Sequence, residues 1–370
     1  MMTVIIFLLV ISLLIFVHEL GHFLVAKLIG ARVDEFAIGF PPRLLSKKYG
    51  ETEYSLNALP FGGYVKIYGE NPDEKIDQIE VEEKNQGDLS LKPKWQQALV
   101  LVAGVTFNVI LAWLLISFSL MSGAPTSVDE IKATYPEVVV SDAVLMIVQV
   151  GPDSPAERAG LVVGDVITSV ETGGVKIDSP TVGTFINEVN KGQELSLSLS
   201  RAEKQLEVVV TPESGVVEDK TAIGVGLDEI GLLKLPFHQA LFVGAKSTLV
   251  MLTLMVTSFG DLFQTLIAGD KNITEVVAGP IGIAGMTRDA SQLGFVYLLT
   301  FTAFISLNLA VINMIPFPAL DGGRLFILFI EAVTRNKIPP KIVNSLNLVG
   351  LALLLLLMIV VSVGDIGRLL

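Results

Sequence analysis

The chain has 370 residues, 51% of them hydrophobic, with a mean hydropathy of +0.63 and a formal net charge of −12. So apolar a composition excludes the ordinary soluble globular class, and the long uncharged runs point to a polytopic membrane protein. Cysteine is absent, which excludes disulfides and thiolate ligands and leaves His and carboxylate groups to hold any metal. The charge is uneven: residues 122–293 carry 11 Lys and Arg against 22 Asp and Glu, and residues 27–94 carry 10 against 12. An acidic segment of that kind gives no reason to expect nucleic acid as a partner.

Residues 1–29 read as a first transmembrane helix. The segment lacks a basic start, and cleaving it as a signal peptide would discard its most informative residues, so it is read as retained. Those residues are His18-Glu19-Leu20-Gly21-His22. Positions four apart share a helix face, so His18 and His22 can offer two imidazole nitrogens to one Zn2+. Glu19 projects from nearly the same arc, placed to take a proton from water at that metal. A charged residue at the centre of a lipid-facing helix costs roughly 2.5–3.5 kcal/mol, which a buried metal would offset. The competing reading is helix-end residues snorkelling to the interface. It fits poorly with two of only three histidines falling at ligand spacing.

Residues 30–94 are expected on the cytoplasmic side, from their Lys and Arg density. Arg32 to Tyr68 is strand-rich, with alternation at Tyr54, Leu56 and Ala58 and again from Tyr64 to Tyr68. Between these runs, Pro60-Phe61-Gly62-Gly63 reads as a turn. A membrane-associated hairpin follows, whose edge strand can accept an extended substrate by strand addition; an ordinary structural hairpin is the alternative. Glu70 to Lys94 reads as a flexible loop. In the second transmembrane helix, residues 95–121, Asn108 stands alone among apolar residues; an interhelical bond and a catalytic role both remain open.

Residues 126–230 read as a soluble α+β domain of short strands. Ser154 caps a short helix with Pro155 in its first turn, Gly160 ends it, and Gly164-Asp165 turns into the next strand. Further strands are expected near 195–200, 206–210 and 222–227. The pattern resembles a PDZ domain of the bacterial protease type, which binds a peptide or chain end along a sheet edge, or acts only as a spacer. Residues 236–292 are expected to form an interfacial amphipathic helix and loop, with Lys246, Thr253, Thr257, Asp261 and Gln264 as its polar stripe and His238 at the surface. A third transmembrane helix, 293–323, ends in Asn313-Met314-Ile315-Pro316-Phe317-Pro318-Ala319-Leu320-Asp321-Gly322-Gly323, where the prolines break the helix before Asp321. The fourth spans 343–363.

The two motifs in this order, with Gly279-Pro280-Ile281-Gly282-Ile283 between them, resemble the site-2 protease family of intramembrane zinc metalloproteases, and within it the bacterial regulator of sigma-E protease type with a single PDZ domain. The resemblance implies that Asp321 is the third zinc ligand and that Asn308 and Asn313 lie near the active site and hydrogen-bond the substrate; the hairpin residues Pro60, Phe61, Gly62, Gly63 and Tyr64 are expected to align it. Members often carry Gly-Pro before the second-span Asn, whereas this chain has Ala103-Gly104-Val105-Thr106-Phe107-Asn108. For ligands at the carboxyl ends of the first and third spans to meet, those helices must run parallel, so an odd number of crossings separates them. The expectation is therefore four spans in a bacterial cytoplasmic membrane, with both termini and the PDZ domain outside and the zinc nearer the cytoplasmic face.

The implied activity is zinc-dependent hydrolysis of a peptide bond in or beside the transmembrane segment of a single-span membrane protein, such as an anti-sigma factor or a signal-peptide remnant, with membrane lipids as the other partner. A catalytically inactive, zinc-stabilised scaffold binding envelope proteins through the PDZ domain is the alternative. Retention of Glu19 argues against it, since a structural site needs no base. A metal transporter would be expected to repeat its intramembrane carboxylates, and this chain does not.

Overall fold

A computed structural model describes residues 2–70, 87–134, 143–201, 204–217, 220–268 and 279–369. The chain divides into a helical unit (Met1–Phe118, Leu241–Ser291 and Leu298–Leu370) and a sheet unit (Ser119–Ala240 and Gln292–Tyr297).

In the helical unit, α1 (Met2–Leu28) is an apolar run that continues until Gly30 adopts φ +69°. Gly30 N–H donates to Lys27 O at 3.0 Å and Ala31 N–H to Ala26 O at 2.8 Å, the paired bonds of a Schellman cap. The chain then enters β1 (Val33–Tyr49) and β2 (Thr52–Ile67), an antiparallel pair. Ile38 pairs with both Leu56 and Gly63, so the first half of β1 lies between the two halves of β2. The reversal expected at Pro60–Gly63 is therefore present inside β2, and a second one lies at Gly50-Glu51, where Tyr49 pairs with Thr52. Of the loop expected from Glu70 to Lys94, residues 71–86 lie outside the described residues.

The second long helix, α2 (Lys94–Ser122), crosses α1 at Gly21, where a Cβ would sit 2.6 Å from the Ala103 carbonyl oxygen. Small residues at such a crossing let two backbones approach. After the sheet unit come α6 (Phe237–Ala268), α7 (Pro280–Leu293), α8 (Phe295–Met314), α9 (Asp321–Thr334) and α10 (Pro340–Leu369). Among the described residues, five helices (α1, α2, α6, α8 and α10) are long and apolar enough to cross a membrane, against the four expected.

The fifth is α6, expected at the interface. It lies along α2: Gly244 abuts Ser117, and Leu252 and Val256 line one cavity with Val109 and Val105, so the two helices run antiparallel. Two members of its stripe do not require water. Thr253 and Thr257 donate to Leu249 O (2.8 Å) and Leu254 O (2.9 Å), satisfying their hydroxyls within the helix. The amino end of α7 is fixed by Asp365 near the far end of α10, through Gly279 N–H at 3.2 Å and Gly282 N–H at 2.8 Å. From there α8 runs back to Asp321.

The sheet unit holds β3 (Ala124–Ser127), α3 (Val128–Thr134), β4 (Val144–Val150), α4 (Pro155–Arg158), β5 (Val166–Thr172), β6 (Val175–Asp178), α5 (Val182–Val189), β7 (Leu195–Arg201), β8 (Lys204–Val210), β9 (Glu213–Val217), β10 (Lys220–Ala222) and β11 (Val225–Leu233). The main sheet is ordered β3-β11-β4-β5-β7-β8, with β6 on β5. Period-2 patterning builds its core: Leu195, Leu197 and Leu199 of β7 are fully buried with Ile147, Val170 and Phe185, while the intervening serines face away. Ser154 caps α4 by accepting from Glu157 N–H at 3.2 Å, as its sequence indicates.

One ion pair anchors this unit. Asp165 is fully buried and accepts from Arg201 Nε at 2.6 Å and Nη2 at 2.7 Å. Replacing Arg201 by Met strands a buried carboxylate. The sheet unit should lose about 3 kcal/mol, seen as earlier cleavage between residues 143 and 233 in limited proteolysis during a thermal ramp.

Candidate metal centre and active site

Residues far apart in sequence meet where α1, α2 and the start of α9 converge. His18 and His22 are buried on one face of α1, ring centroids 4.8 Å apart and nearly perpendicular. Asp321 occupies the first turn of α9, to which the chain returns by a tight reversal after α8. Helix α8 stops at Met314, two residues before Pro316; Phe317 N–H donates to Ile315 O at 2.7 Å and Leu320 N–H to Phe317 O at 3.1 Å. The reversal leaves no room beside Gly323, where a Cβ would lie 2.6 Å from the Phe317 carbonyl carbon, and Gly322 abuts the Met314 carbonyl. Helix α10 supports the same loop: Asn347 Oδ1 accepts from Ala319 N–H at 3.3 Å, and Gly350 packs on Pro318.

Three donor atoms form a nearly equilateral triangle. His18 Nε2 and His22 Nε2 are 3.2 Å apart, and Asp321 Oδ2 lies 3.1 Å from the first and 3.2 Å from the second. Tetrahedral zinc with ligand bonds near 2.0–2.1 Å separates its ligand atoms by about 3.3–3.4 Å. Asp321 Oδ2 is buried and makes no well-directed hydrogen bond despite these neighbours. Three such atoms facing one point fit a cation at that point, and among the described residues no other carboxylate or histidine joins the cluster. His22 Nδ1 donates to Val100 O at 2.7 Å, the outer hydrogen bond that orients a metal-binding imidazole. Around His18, Nδ1 is 3.1 Å from the Asn108 amide, and Ser306 of α8 donates to Asn108 O at 2.8 Å.

Glu19 is half-buried beside the triad in sequence. The remaining expected residues are more dispersed. Pro60 O accepts from Ser12 Oγ at 2.6 Å, seating the β2 reversal on α1 about two turns before His18. Gly62 lies against Phe40 and Ile15, Gly63 against the Ala37 carbonyl, and the Tyr64 ring stacks on Phe40 with centroids 6.3 Å apart. Phe61 lies in β2 among them. Asn308 donates to Phe304 O at 3.0 Å within its own helix, and Asn313 is half-buried in the last turn of α8. Neither is hydrogen-bonded to the triad. His238 is exposed in the first turn of α6.

Sequence reasoning overlooked the braces. Arg324, one turn beyond Asp321, pairs with Glu70 at the exit of β2. Lys94, at the start of α2, pairs with Glu331 of α9. Burial pushes the Glu331 carboxyl up, but the Lys94 ammonium and the Ile338 N–H outweigh it and hold the group below the usual carboxylate range. A charge in an amphipathic segment gives no pairing signal by itself, so these partners were not readable. Gly104 carried one: a glycine inside an apolar helix. A Cβ there would sit 2.7 Å from His18 Cε1 and against His22 Nε2.

A buried His–His–carboxylate cluster among apolar helices fits a membrane metalloprotease, and comparison with known proteins agrees. Residues 6–357 match the model for peptidase family M50, and the chain belongs to this family, the site-2 proteases. A relative from Clostridium perfringens that carries a zinc metalloprotease name is 37% identical over 99% of this chain and 98% of its own length. The regulator of sigma-W protease RasP of Bacillus subtilis is 31% identical over 99% of both chains. The zinc metalloprotease RasP of Bacillus licheniformis is 30% identical over the whole of both. The protein is a zinc metalloprotease with several apolar helices, of a family seated in the bacterial inner membrane.

Because Gly104 is the floor beneath both imidazoles, Gly104→Ala should displace them. Zinc content after dialysis against a chelator should fall about tenfold or more relative to the parent protein, with the helical far-ultraviolet signal retained.

Proposed function

We propose that the chain hydrolyses a peptide bond in or next to the transmembrane segment of single-span membrane proteins, with His18, His22 and Asp321 holding the zinc and Glu19 as the base. The near-equilateral donor triangle at 3.1–3.2 Å carries this reading. Zinc bound there supplies a Lewis acid that acidifies water and polarises a carbonyl. Glu19, adjacent to His18 on the same helix, takes the proton from the attacking water and passes it to the departing amine nitrogen. His22 is oriented by Val100 O, and Asp321 is held at the head of α9 by the tight turn behind it.

A helical substrate hides its carbonyls in intrahelical bonds, so cleavage requires an extended stretch. Among the described residues, the half of β2 from Gly63 to Ile67 has β1 as its strand partner on one side, which supports an edge on the other to which such a stretch can add. Pro60 and Gly62 seat this edge on α1, and Asn308 and Asn313 lie on α8, the helix that leads to Asp321. In the sheet unit, β11 from Val225 to Glu229 pairs with β4 on one side and, among the described residues, has no strand on the other before β3 joins at Ile230, which supports a PDZ-type groove for a peptide or chain end. We place this domain on the extracytoplasmic side, where it admits trimmed substrates. A relative's name, regulator of sigma-W protease, supports an anti-sigma factor as one substrate class.

Glu19→Gln should retain zinc and lower cleavage of a single-span substrate in detergent or liposomes by about 10²–10⁴-fold. Wild-type turnover by that variant would overturn the assignment of the base.

A further inference from the structure

A zinc-binding imidazole nitrogen must be unprotonated, so when Nε2 faces the metal the ring proton resides on Nδ1 and needs an acceptor. His22 has one in Val100 O at 2.7 Å. His18 has only the Asn108 side chain, whose Nδ2 lies 3.1 Å from Nδ1 while Asn108 Oδ1 is buried without a partner. An amide N–H directed at Nδ1 requires a lone pair there, which moves the ring proton to Nε2 and blocks it as a ligand. Rotating the amide by a half turn exchanges two atoms of nearly equal size. It gives the orphaned oxygen a donor and His18 the tautomer its position demands.

We propose that Asn108 is a positioning residue, whose amide oxygen accepts from His18 Nδ1–H and so keeps Nε2 free for zinc. This rests on the ligand assignment above. Asn108 is fully buried, and its backbone is tied to α8 by the Ser306 hydroxyl at 2.8 Å, so the amide has little freedom beyond that rotation. The two imidazoles are thus set by different means. A backbone carbonyl of α2 fixes His22, and a side chain two turns further along the same helix fixes His18.

The test compares zinc affinity, by chelator competition on the full-length protein in detergent, for the parent, Asn108→Leu and Asn108→Asp. A carboxylate can only accept from Nδ1–H, whereas Leu removes the acceptor at similar volume. The Leu variant should bind zinc about 10- to 100-fold more weakly and the Asp variant close to the parent. The chain has three histidines, so ¹⁵N-histidine spectra of zinc-loaded protein, with His238→Gln removing the exposed ring, report the tautomer of His18 directly. Nδ1–H with Nε2 bound supports the proposal. Equal affinity in the Leu variant, an Asp variant as weak as Leu, or a proton on His18 Nε2 in the loaded parent would overturn it. If Asn108→Leu does not fold, the Asp variant and the parent spectra still decide. Parent-level zinc binding by Asp321→Asn would instead refute the ligand assignment.

Discussion

Two imidazoles and a carboxylate buried within apolar helices cost more than packing returns unless a cation gathers them. That requirement organises the helical unit. It demands a close crossing of α1 and α2, which only glycine at 21 and 104 permits. It also demands that a residue some 300 positions after the motif return to the same depth, for which the chain spends two prolines, two glycines and a brace from α10 on a single turn.

The local geometry of the site was legible because it is written in spacing. His18 and His22 at four residues, and prolines ahead of Asp321, specify a helix face and a helix end without reference to the rest of the fold. The hairpin was legible as strands and a reversal, but its true register was not. A strand that pairs on both edges, as β1 does around Ile38, has the same alternation as one that pairs on one edge. The second reversal at Gly50-Glu51 was missed because the charged residues around it resemble those of the strand arm itself.

The packing of α6 along α2 was not legible for a related reason. Polar residues at helical spacing suggest a water-facing stripe, yet threonine hydroxyls that bond back to their own helix carry no such demand. Asn108 left two readings open at the level of sequence, and its position beside His18 answers a question that composition could not pose.

The last helix touches both extremes of the helical unit. Near its start, Asn347 and Gly350 steady the loop before Asp321; near its finish, Asp365 grips the head of α7. A continuous helix is stiff along its axis, so those two grips cannot shift independently. Trimming the carboxyl terminus back past Asp365 would therefore unfasten the head of α7 and leave the helix that steadies the turn before Asp321 held at one end alone.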